Sequence, residues 1–269
     1  MDKVLNFFSK LNLSEERANT IIAFVKRSIN PVKKIFQVNV KGEAKSFVVK
    51  RQGLGPIVND HGKFYVYAFI VDDEWEKYIA LVKASSLSNE DLPVFVDNDN
   101  LLLRIDSGCE TGQRFHDNTC ECNQQLEEAM KMLNKKGEGI IVCIPNQDGR
   151  GKGIAAKLTT LALQDGFGLD TVTAAEIVAQ IEKPITISID DTTSTIDIRT
   201  YAGAIAILKF FNIPEGTRIN LATNNPEKIT AFNDNGYIID NVSVIITPTE
   251  HTKKHLLAKQ DRLGHKLFL

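Results

Sequence analysis

The sequence has no apolar run long enough to cross a membrane, since no stretch approaches the roughly 18 residues that a spanning helix needs. It also lacks a large basic excess: 32 Lys and Arg stand against 34 Asp and Glu, which argues against a dedicated nucleic-acid binder. The first residues show no cationic segment followed by an apolar one, so no secretory signal is predicted. We therefore expect a soluble, cytoplasmic protein with neither membrane nor nucleic-acid partners.

The chain nevertheless carries enough apolar material for a substantial core, because 43% of its 269 residues are hydrophobic. Its charge is unevenly distributed. Residues 1–55 contain 11 Lys and Arg against 4 Asp and Glu, whereas the remainder is acidic. We therefore predict a basic N-terminal extension over 1–55 and a second domain over 56–269. The basic face could contact a polyanion or a partner subunit, although such a run is most often a solvated surface.

The extension predicts a helix followed by a hairpin. Ser14 is suited to cap a helix whose first turn carries two Glu residues, and Asn30-Pro31 ends that helix. Residues 35–40 and 46–49 are then typical of two strands on either side of the Lys41-Gly42 turn.

Beyond residue 63 the pattern predicts a mixed α/β fold, because short strands come first and helices and strands then alternate. The predicted strands cover 64–71, 78–82, 101–105, 139–144 and 218–222. The predicted helices cover 124–135, 154–164, 201–211 and 226–233.

Three of the four cysteines are clustered, at Cys109, Cys120 and Cys122. In an intracellular chain thiols stay reduced, and clustered cysteines more often bind metal than form disulfides. Zinc is the expected ion. Three protein ligands would leave the fourth tetrahedral position open, as in catalytic sites, but a structural knuckle completed by His116 or an outside ligand fits the spacing equally well. Cys143, within an apolar run, is expected to be a small core residue.

The residues around these cysteines point to a family. The stretches RIDSGCETGQ (104–113) and CECNQQLE (120–127) resemble the zinc segment of GTP cyclohydrolase II. Further blocks follow in the order that this family shows: QDGRGKGI (147–154), ALQD (162–165), LDTV (169–172), DIRTY (197–201), TNNPEK (223–228) and LGH (263–265). Chance recurrence of so many ordered blocks is very improbable.

The resemblance implies a set of site residues. Zinc is assigned to Cys109, Cys120 and Cys122, proton acceptance to Asp197, and attack on the α-phosphate to Arg199. Nucleotide contacts are implied for Arg104, Ile105, Asp106, Ser107, Gly108, Gln125, Asp148, Gly149, Arg150, Thr171, Thr223 and Lys228. Because a guanidinium stays protonated, arginine chemistry favours Arg199 as a phosphate clamp over a nucleophile.

The glycine-rich run 149–153 adds a physical argument for a phosphate site. It leads into a predicted helix, so exposed amides, two cations and a helix N-terminus could meet a triphosphate together. Without the following Ser or Thr it is not a P-loop, and taken alone such a run is usually an ordinary turn.

The implied reaction is hydrolysis of the guanine imidazole ring of GTP at C8. Formate and pyrophosphate are released and a diaminopyrimidine ribosyl phosphate remains, as in riboflavin biosynthesis. The implied cofactors are Zn²⁺ and Mg²⁺, the latter because it bridges triphosphate oxygens. A homodimer is also expected.

Several positions depart from the family pattern. Gly108 replaces a usual Glu, Asn123 a usual Gly, and Leu161 a Tyr implicated after ring opening; a leucine cannot transfer a proton. Residues 184–189 are predicted to be an added strand and 190–195 an added loop. Around Gly108 the sequence looks closer to a divergent branch associated with uracil degradation.

Three functions therefore stay open. The first is a GTP cyclohydrolase II, either complete or stopping at the formamide. The second is a related zinc hydrolase acting on another nucleotide or a pyrimidine. The third is a noncatalytic nucleotide-binding protein. Leu161 itself fits either an altered site or an ordinary helix core, since its neighbours are apolar too.

Overall fold

A computed structural model describes residues 7–8, 10–72, 77–182 and 198–265. Within these residues the α-helices are α1 (Glu15–Ile29), α2 (Glu110–Arg114), α3 (Cys122–Lys136), α4 (Ile154–Phe167), α5 (Thr171–Glu182), α6 (Ala202–Phe210), α7 (Pro226–Asn233) and α8 (Lys253–Leu263). Short 3₁₀ turns cover Asn98–Asn100 and Asp148–Gly151. None of the described helices combines the length and apolar character needed to cross a membrane.

One large sheet organises the chain. Its strands are β1 (Val32–Val40), β2 (Glu43–Asn59), β3 (Gly62–Val71), β4 (Tyr78–Lys83), β7 (Leu101–Asp106), β8 (Gly139–Cys143), β9 (Arg218–Ala222) and β10 (Ile238–Val242), and a separate two-residue pair joins β5 (Ser86–Leu87) to β6 (Pro93–Val94). The order in the large sheet is β1-β2-β3-β4-β8-β7-β9-β10. From β1 to β8 every neighbour is antiparallel, and from β8 to β10 every neighbour is parallel.

The central parallel strands β7 and β8 are buried on both faces, which explains their largely apolar sequences. Leu101 and Leu103 of β7 lie in the core beneath α6, whereas Leu102 between them lies in the core beneath α3. In β8, Ile140 and Ile141 divide between the two faces in the same way. Helices thus cover both sides of the sheet, and the carboxyl ends of β7, β8 and β9 meet at one edge.

The core beneath α6 contains a cluster of aromatic rings. The ring centroids of Tyr67 and Phe211 lie 4.9 Å apart and those of Phe69 and Phe210 lie 5.1 Å apart, both in edge-to-face contact. All residues of α6 except Lys209 are buried. This packing fixes the antiparallel half of the sheet against the helix that follows Tyr201.

The predicted mixed α/β class is confirmed, and each predicted helix and strand of the described residues has a counterpart. Their boundaries differ by three residues at most, except that β2 continues to Asn59, ten residues beyond the predicted end of that strand. Ser14 caps α1 by accepting a hydrogen bond from the Arg17 amide. The predicted hairpin also forms, with Lys41 and Gly42 in left-handed conformations between β1 and β2.

The helices α2, α5 and α8, the strand β10 and the short pair of β5 and β6 were not predicted. The predicted added strand at 184–189 and loop at 190–195 lie outside the described residues. The division between 1–55 and 56–269 stays a prediction. Its boundary falls inside β2, and Val38 and Val49 share a core with the rest of the sheet.

Candidate active site

A cavity opens at the carboxyl edge of the parallel strands. The loops after β7, β8 and β9 supply most of its floor, and α3, α4, α5 and α8 supply its walls. Its lining includes Arg104, Asp106, Ser107, Cys109, Asp117, Cys120, Glu121, Cys122, Gln125, Gln147, Asp148, Gly149, Arg150, Lys157, Leu161, Thr171, Arg199, Thr223, Asn224, Lys228, His255, Lys259 and His265. We call this space the central cavity. Its position follows the general rule that ligands bind outside the carboxyl ends of parallel strands.

The three clustered cysteines meet on one wall of the central cavity, and we call them the thiol triad. The Sγ atoms of Cys109 and Cys120 lie 3.6 Å apart, those of Cys120 and Cys122 lie 2.9 Å apart, and all three fall within 4.8 Å of one another. In the described part of the chain this is the one group of His, Cys, Asp or Glu side chains suited to hold a metal ion.

His116 is not a member of that group, so the predicted knuckle completed by His116 is wrong. Its side chain is exposed and its Nδ1 lies 3.2 Å from the side-chain nitrogen Nδ2 of Asn123. The left-handed backbone at His116, with φ of 53°, belongs to the loop that carries the chain from α2 towards Cys120.

Helix α2 brings the triad together because it is short and contains glycine at its point of closest approach. Cys109 caps α2, and its Sγ accepts a hydrogen bond of 3.3 Å from the Gly112 amide. A methyl group on Gly112 would lie 3.0 Å from the Cys109 Sγ and 3.1 Å from the Cys120 Sγ. The thiols therefore converge on a space that any larger residue would fill.

Lys157 connects the triad to the loop after β8. Its Nζ lies 2.6 Å from the Cys109 Sγ and 3.1 Å from Asp148 Oδ1, and both of the partners are buried. Asp148 in turn accepts a hydrogen bond from the Glu110 amide at the start of α2. A lysine of α4 thus orients a cysteine of one loop and a carboxylate of another.

Hydrogen bonds within the triad shift the pKa values of its members in opposite directions. Hydrogen bonds from Cys120 and Cys122, with help from Lys157, hold the pKa of Cys109 well below its usual value. Hydrogen bonding to Cys109 raises the pKa of Cys120 to about 11 and the pKa of Cys122 well above its ordinary value. A divalent cation would find three sulfur ligands in place, and sulfur is a ligand that zinc favours.

A buried polar network lies beside the triad at the end of β7. Arg104 donates to Asp106 Oδ2 over 3.1 Å and to Gln125 Oε1 over 3.0 Å. The other oxygen of Asp106 accepts from the Gly108 amide and from the Gln113 side chain. Because each charged group is paired, the network tolerates burial and holds Arg104 and Gln125 at the cavity wall.

Gly108 does not line the cavity, and its backbone explains why glycine occupies this position. It adopts the left-handed conformation with φ of 56°, and a Cβ atom there would lie 2.9 Å from the carbonyl oxygen of Ile144. A glutamate would meet both strain and this contact. The glutamate of the family pattern is therefore absent at a position where the backbone turn accommodates only glycine.

Lys228 comes from the first turns of α7. Asn225 caps that helix, Pro226 begins it, and the Lys228 Nζ donates to the Ile105 carbonyl oxygen over 2.7 Å. Burial, followed by the positive charges of Arg104 and Arg199, lowers the pKa of Lys228 to about 7. Thr223, at the end of β9, is also buried and accepts from the Asn225 amide.

Arg150 and Arg199 reach the central cavity from adjoining segments. The 3₁₀ turn after β8 has left-handed backbone at both Gly149 and Arg150, with φ of 57° and 61°. The Ile198 amide donates to the Arg150 carbonyl oxygen over 3.1 Å and so ties the two arginine segments together. Strained backbone of this kind at a non-glycine residue is typical of functional sites.

Helix α8 closes one side of the cavity, and sequence reasoning assigned no role to its side chains. Lys259 pairs with Glu121 Oε1 over 3.2 Å, and the Thr171 amide donates to His255 Nδ1 over 3.2 Å. Burial lowers the pKa of His265 to about 3, and so do the positive charges of Lys259, Arg199, Arg150 and Lys228. The motif LGH indicated that this region belongs to the site. The sequence around Lys259 and Lys157 does not predict their contacts, because the partners of these lysines are distant in sequence.

Most of the predicted site residues border the central cavity, two of the described ones do not, and one cannot be placed. Ile105 is a core residue whose carbonyl oxygen binds Lys228, Gly108 lies behind the wall, and Asp197 falls outside the described residues. The face of α4 that reaches the cavity carries Lys157 and Leu161; the start of that helix, expected to meet a phosphate, does not line it.

Two further expectations concern single side chains. Leu161 is half-buried and lines the central cavity. Its side chain therefore lies at the candidate site and is not an ordinary core residue of α4. Cys143 lies outside the thiol triad and packs at the edge of the core beneath α3, as expected of a small apolar residue.

Comparison with known proteins gives the family. A sequence profile described as GTP cyclohydrolase II matches residues 55–243. The riboflavin biosynthesis protein RibBA of Staphylococcus epidermidis is 33% identical over 240 residues, which is 89% of this chain and 51% of that protein. The proteins of the same name from Phocaeicola vulgatus and Staphylococcus aureus are 32% and 33% identical over 77% of this chain and 45% of their own lengths.

The chain thus spans about half the length of the curated relatives it matches. The profile match covers most of the second predicted domain, including the thiol triad and the loops after β7, β8 and β9. It confirms the family predicted from the motifs. The chain belongs to the GTP cyclohydrolase II family.

Proposed function

We propose that this chain is a zinc-dependent hydrolase that opens the guanine imidazole ring of GTP at C8 and releases formate and pyrophosphate. The observation that carries the proposal is the meeting of three thiols and several cations in one cavity of a chain that belongs to this family. A place in riboflavin biosynthesis is part of the proposal because the relatives bear that name. So are a homodimer and a cytoplasmic location.

The thiol triad fits zinc by its chemistry. Three sulfur ligands with a free side facing a cavity are the arrangement of a catalytic zinc site, and Gly112 leaves the space for it. When bound, zinc would supply a Lewis acid and lower the pKa of a water molecule towards neutrality. Magnesium would accompany the triphosphate, whose oxygens it prefers.

The protein's own residues divide the remaining work. Arg104, fixed by Asp106 and Gln125, presents a rigid guanidinium next to the triad, where it can orient the substrate. Lys157 holds Cys109 and Asp148 in place. This preorganisation removes the need to reorder charged side chains during the reaction.

We assign binding of the triphosphate to Arg150, Arg199 and Lys228, which come from three separate segments. We call the part of the central cavity that they line the phosphate end. All three line the central cavity, and Arg199 lies close enough to Lys228 to lower its pKa. Guanidinium groups bind phosphate oxygens in pairs, which favours Arg199 as a clamp at the α-phosphate. Asp197 is retained as the proton acceptor of the proposal, although it lies outside the described residues.

A second candidate is favoured by Leu161 and Gly108. Leu161 borders the cavity where a tyrosine is usual, and an aliphatic side chain cannot move a proton. Such an enzyme would stop at the formamide or act on a related nucleotide or pyrimidine. A noncatalytic nucleotide-binding protein is the third candidate, which the basic N-terminal extension favours.

Turnover with a panel of substrates tests these alternatives. The full chain with Zn²⁺ and Mg²⁺ is incubated with GTP, other nucleotides and pyrimidines, and formate, pyrophosphate and product mass are measured. Formate and pyrophosphate from GTP support the first candidate, and a formyl-retaining product or another substrate supports the second. Absence of turnover with every compound supports the third.

Cysteine variants show whether turnover depends on the triad. Cys120→Ser should lose metal and activity together, whereas Cys143→Ser, which removes a thiol outside the triad, should keep both. If Cys120→Ser keeps full metal content and activity, the assignment of the triad as a metal site is wrong. Because metal binding couples to folding, Cys120→Ser should also show a lower melting temperature.

A further inference from the structure

Helix α8 contributes more to the central cavity than a passive wall. Lys259 lies on the inward face of this helix, and its side chain is 27% exposed. The turn at the end of α8 then directs His265 into the same space, with Gly264 left-handed and the His265 amide donating to the Lys259 carbonyl oxygen. Two nitrogen-bearing side chains therefore reach the cavity from one helix end.

These side chains face the residues already assigned to the phosphate end. The charges of Lys259, Arg199 and Arg150 all act on His265, which places the four side chains in one electrostatic environment. Like charges gathered in a partly buried cavity repel one another. A polyanion is the ligand chemistry that compensates such a cluster.

The helix is also held firmly in place. Arg262 binds the Thr173 hydroxyl over 2.9 Å and pairs with Glu176, both on α5, while Leu256 is buried. Lys259 of the same helix pairs with Glu121, which lies in the sequence between Cys120 and Cys122 of the thiol triad. The side chains of α8 are thus preorganised and do not need to be ordered by a ligand.

We propose that Lys259 and His265 of α8 bind the phosphate chain of the substrate, so that the C-terminal helix is part of the nucleotide site. This inference rests on the proposed nucleotide substrate. The ammonium group of Lys259 has three donors, of which one meets Glu121, and the others can reach a phosphate oxygen. Lys259 then links the phosphate end of the cavity to the loop that carries the thiol triad.

The test separates phosphate recognition from structural support. Binding of inorganic tripolyphosphate and of guanosine to the full chain is measured by calorimetry for Lys259→Met, and for Lys253→Met as a matched control. Lys253 lies on the exposed side of the same helix and does not line the cavity. Loss of a charge-assisted bond should weaken tripolyphosphate binding to Lys259→Met about 10- to 100-fold.

Guanosine affinity should stay unchanged in both variants, and Lys259→Arg should recover most of the tripolyphosphate affinity. Unchanged tripolyphosphate binding by Lys259→Met overturns the inference. Equal loss of guanosine and tripolyphosphate binding overturns it as well, because this is the result of a structural role. An unsubstituted chain that does not bind tripolyphosphate overturns it too.

Turnover is measured separately, so the two proposals can fail independently. If GTP is hydrolysed and Lys259→Met leaves the KM for GTP unchanged, the inference about α8 is wrong while the proposed function stands. If tripolyphosphate binding depends on Lys259 but GTP is not hydrolysed, α8 recognises a polyphosphate and the proposed reaction is wrong. His265→Gln should shift KM in the same direction as Lys259→Met, and with kcat less affected.

Discussion

Replacing Gly112 by alanine should weaken zinc binding by a specific steric effect. The added Cβ would lie 3.0 Å from the Cys109 Sγ, 3.1 Å from the Cys120 Sγ and 3.2 Å from the Cys122 Cβ. Non-bonded heavy atoms are most stable about 3.5 to 4.0 Å apart, so two sulfurs must each move by several tenths of an ångström. Metal sites keep their ligand distances within about 0.2 Å, which makes this displacement too large to absorb.

The size of the effect can be bounded. Overpacking of a closely packed site costs about 1 to 3 kcal/mol, which corresponds to a loss of about 5- to 150-fold in zinc affinity. The same substitution favours the helical conformation of α2 by up to about 1 kcal/mol, so the protein should still fold. Affinity should therefore fall without a comparable loss of stability in the metal-free chain.

A competition titration against a chromophoric zinc chelator measures this affinity. Gly166→Ala is the matched control, because Gly166 lies within α4 with nothing within 4 Å of the added methyl group. The control should bind zinc like the unsubstituted chain. If Gly112→Ala binds zinc within a factor of about two of the unsubstituted chain, the steric argument is refuted. Equal weakening in both variants would show that the contact with the sulfurs is not the cause.

Three further predictions concern the central cavity. Arg199→Ala should abolish pyrophosphate release from GTP while leaving the zinc content unchanged, and equal release by variant and unsubstituted chain would remove Arg199 from the mechanism. Leu161→Tyr should convert a formyl-retaining product onward to the deformylated product, which mass spectrometry would detect. If the unsubstituted chain already releases stoichiometric formate at the rate of ring opening, Leu161 does not limit the release of formate. Because burial lowers the pKa of Lys228 to about 7, its positive charge is present below that pH and is lost above it. The affinity for GTP should therefore fall as the pH rises through about 7, and Lys228→Arg, which stays charged, should flatten the profile; an identical profile in that variant would contradict this assignment.

Local patterns were sufficient to predict much of the sheet and several helices. The runs that became β7 and β8 are apolar without alternation, as expected of strands covered on both faces, and Asn225-Pro226 marked the start of α7. Helix α5 was missed because β-branched residues and alanines alternate in it without a clear apolar stripe. Helix α8 was missed because it is largely polar, and it is held by Arg262 and its partners on α5.

The candidate site shows the same division between local and long-range information. The cysteines and most of the cavity residues could be predicted because they lie in short blocks of characteristic sequence. Nothing local to Lys157 or Lys259 indicates that one reaches Cys109 and the other Glu121, because these contacts arise when separate segments pack together. The replacement of Glu by Gly108 could be seen in the sequence, but its cause, the contact with the Ile144 carbonyl oxygen, required coordinates.

The two ends of the central cavity differ in how much of the chain must fold to build them. The thiol triad comes from a segment of 14 residues, from Cys109 to Cys122, so closing it restricts a short loop. The phosphate end draws on residues from Arg150 to His265 and needs the parallel strands, α7 and α8 to be assembled first. The proposed metal site is therefore built from a local segment of this chain, whereas the proposed polyphosphate site depends on the completed tertiary structure. Partial unfolding that begins at α8 would therefore disrupt the proposed polyphosphate site before the proposed metal site.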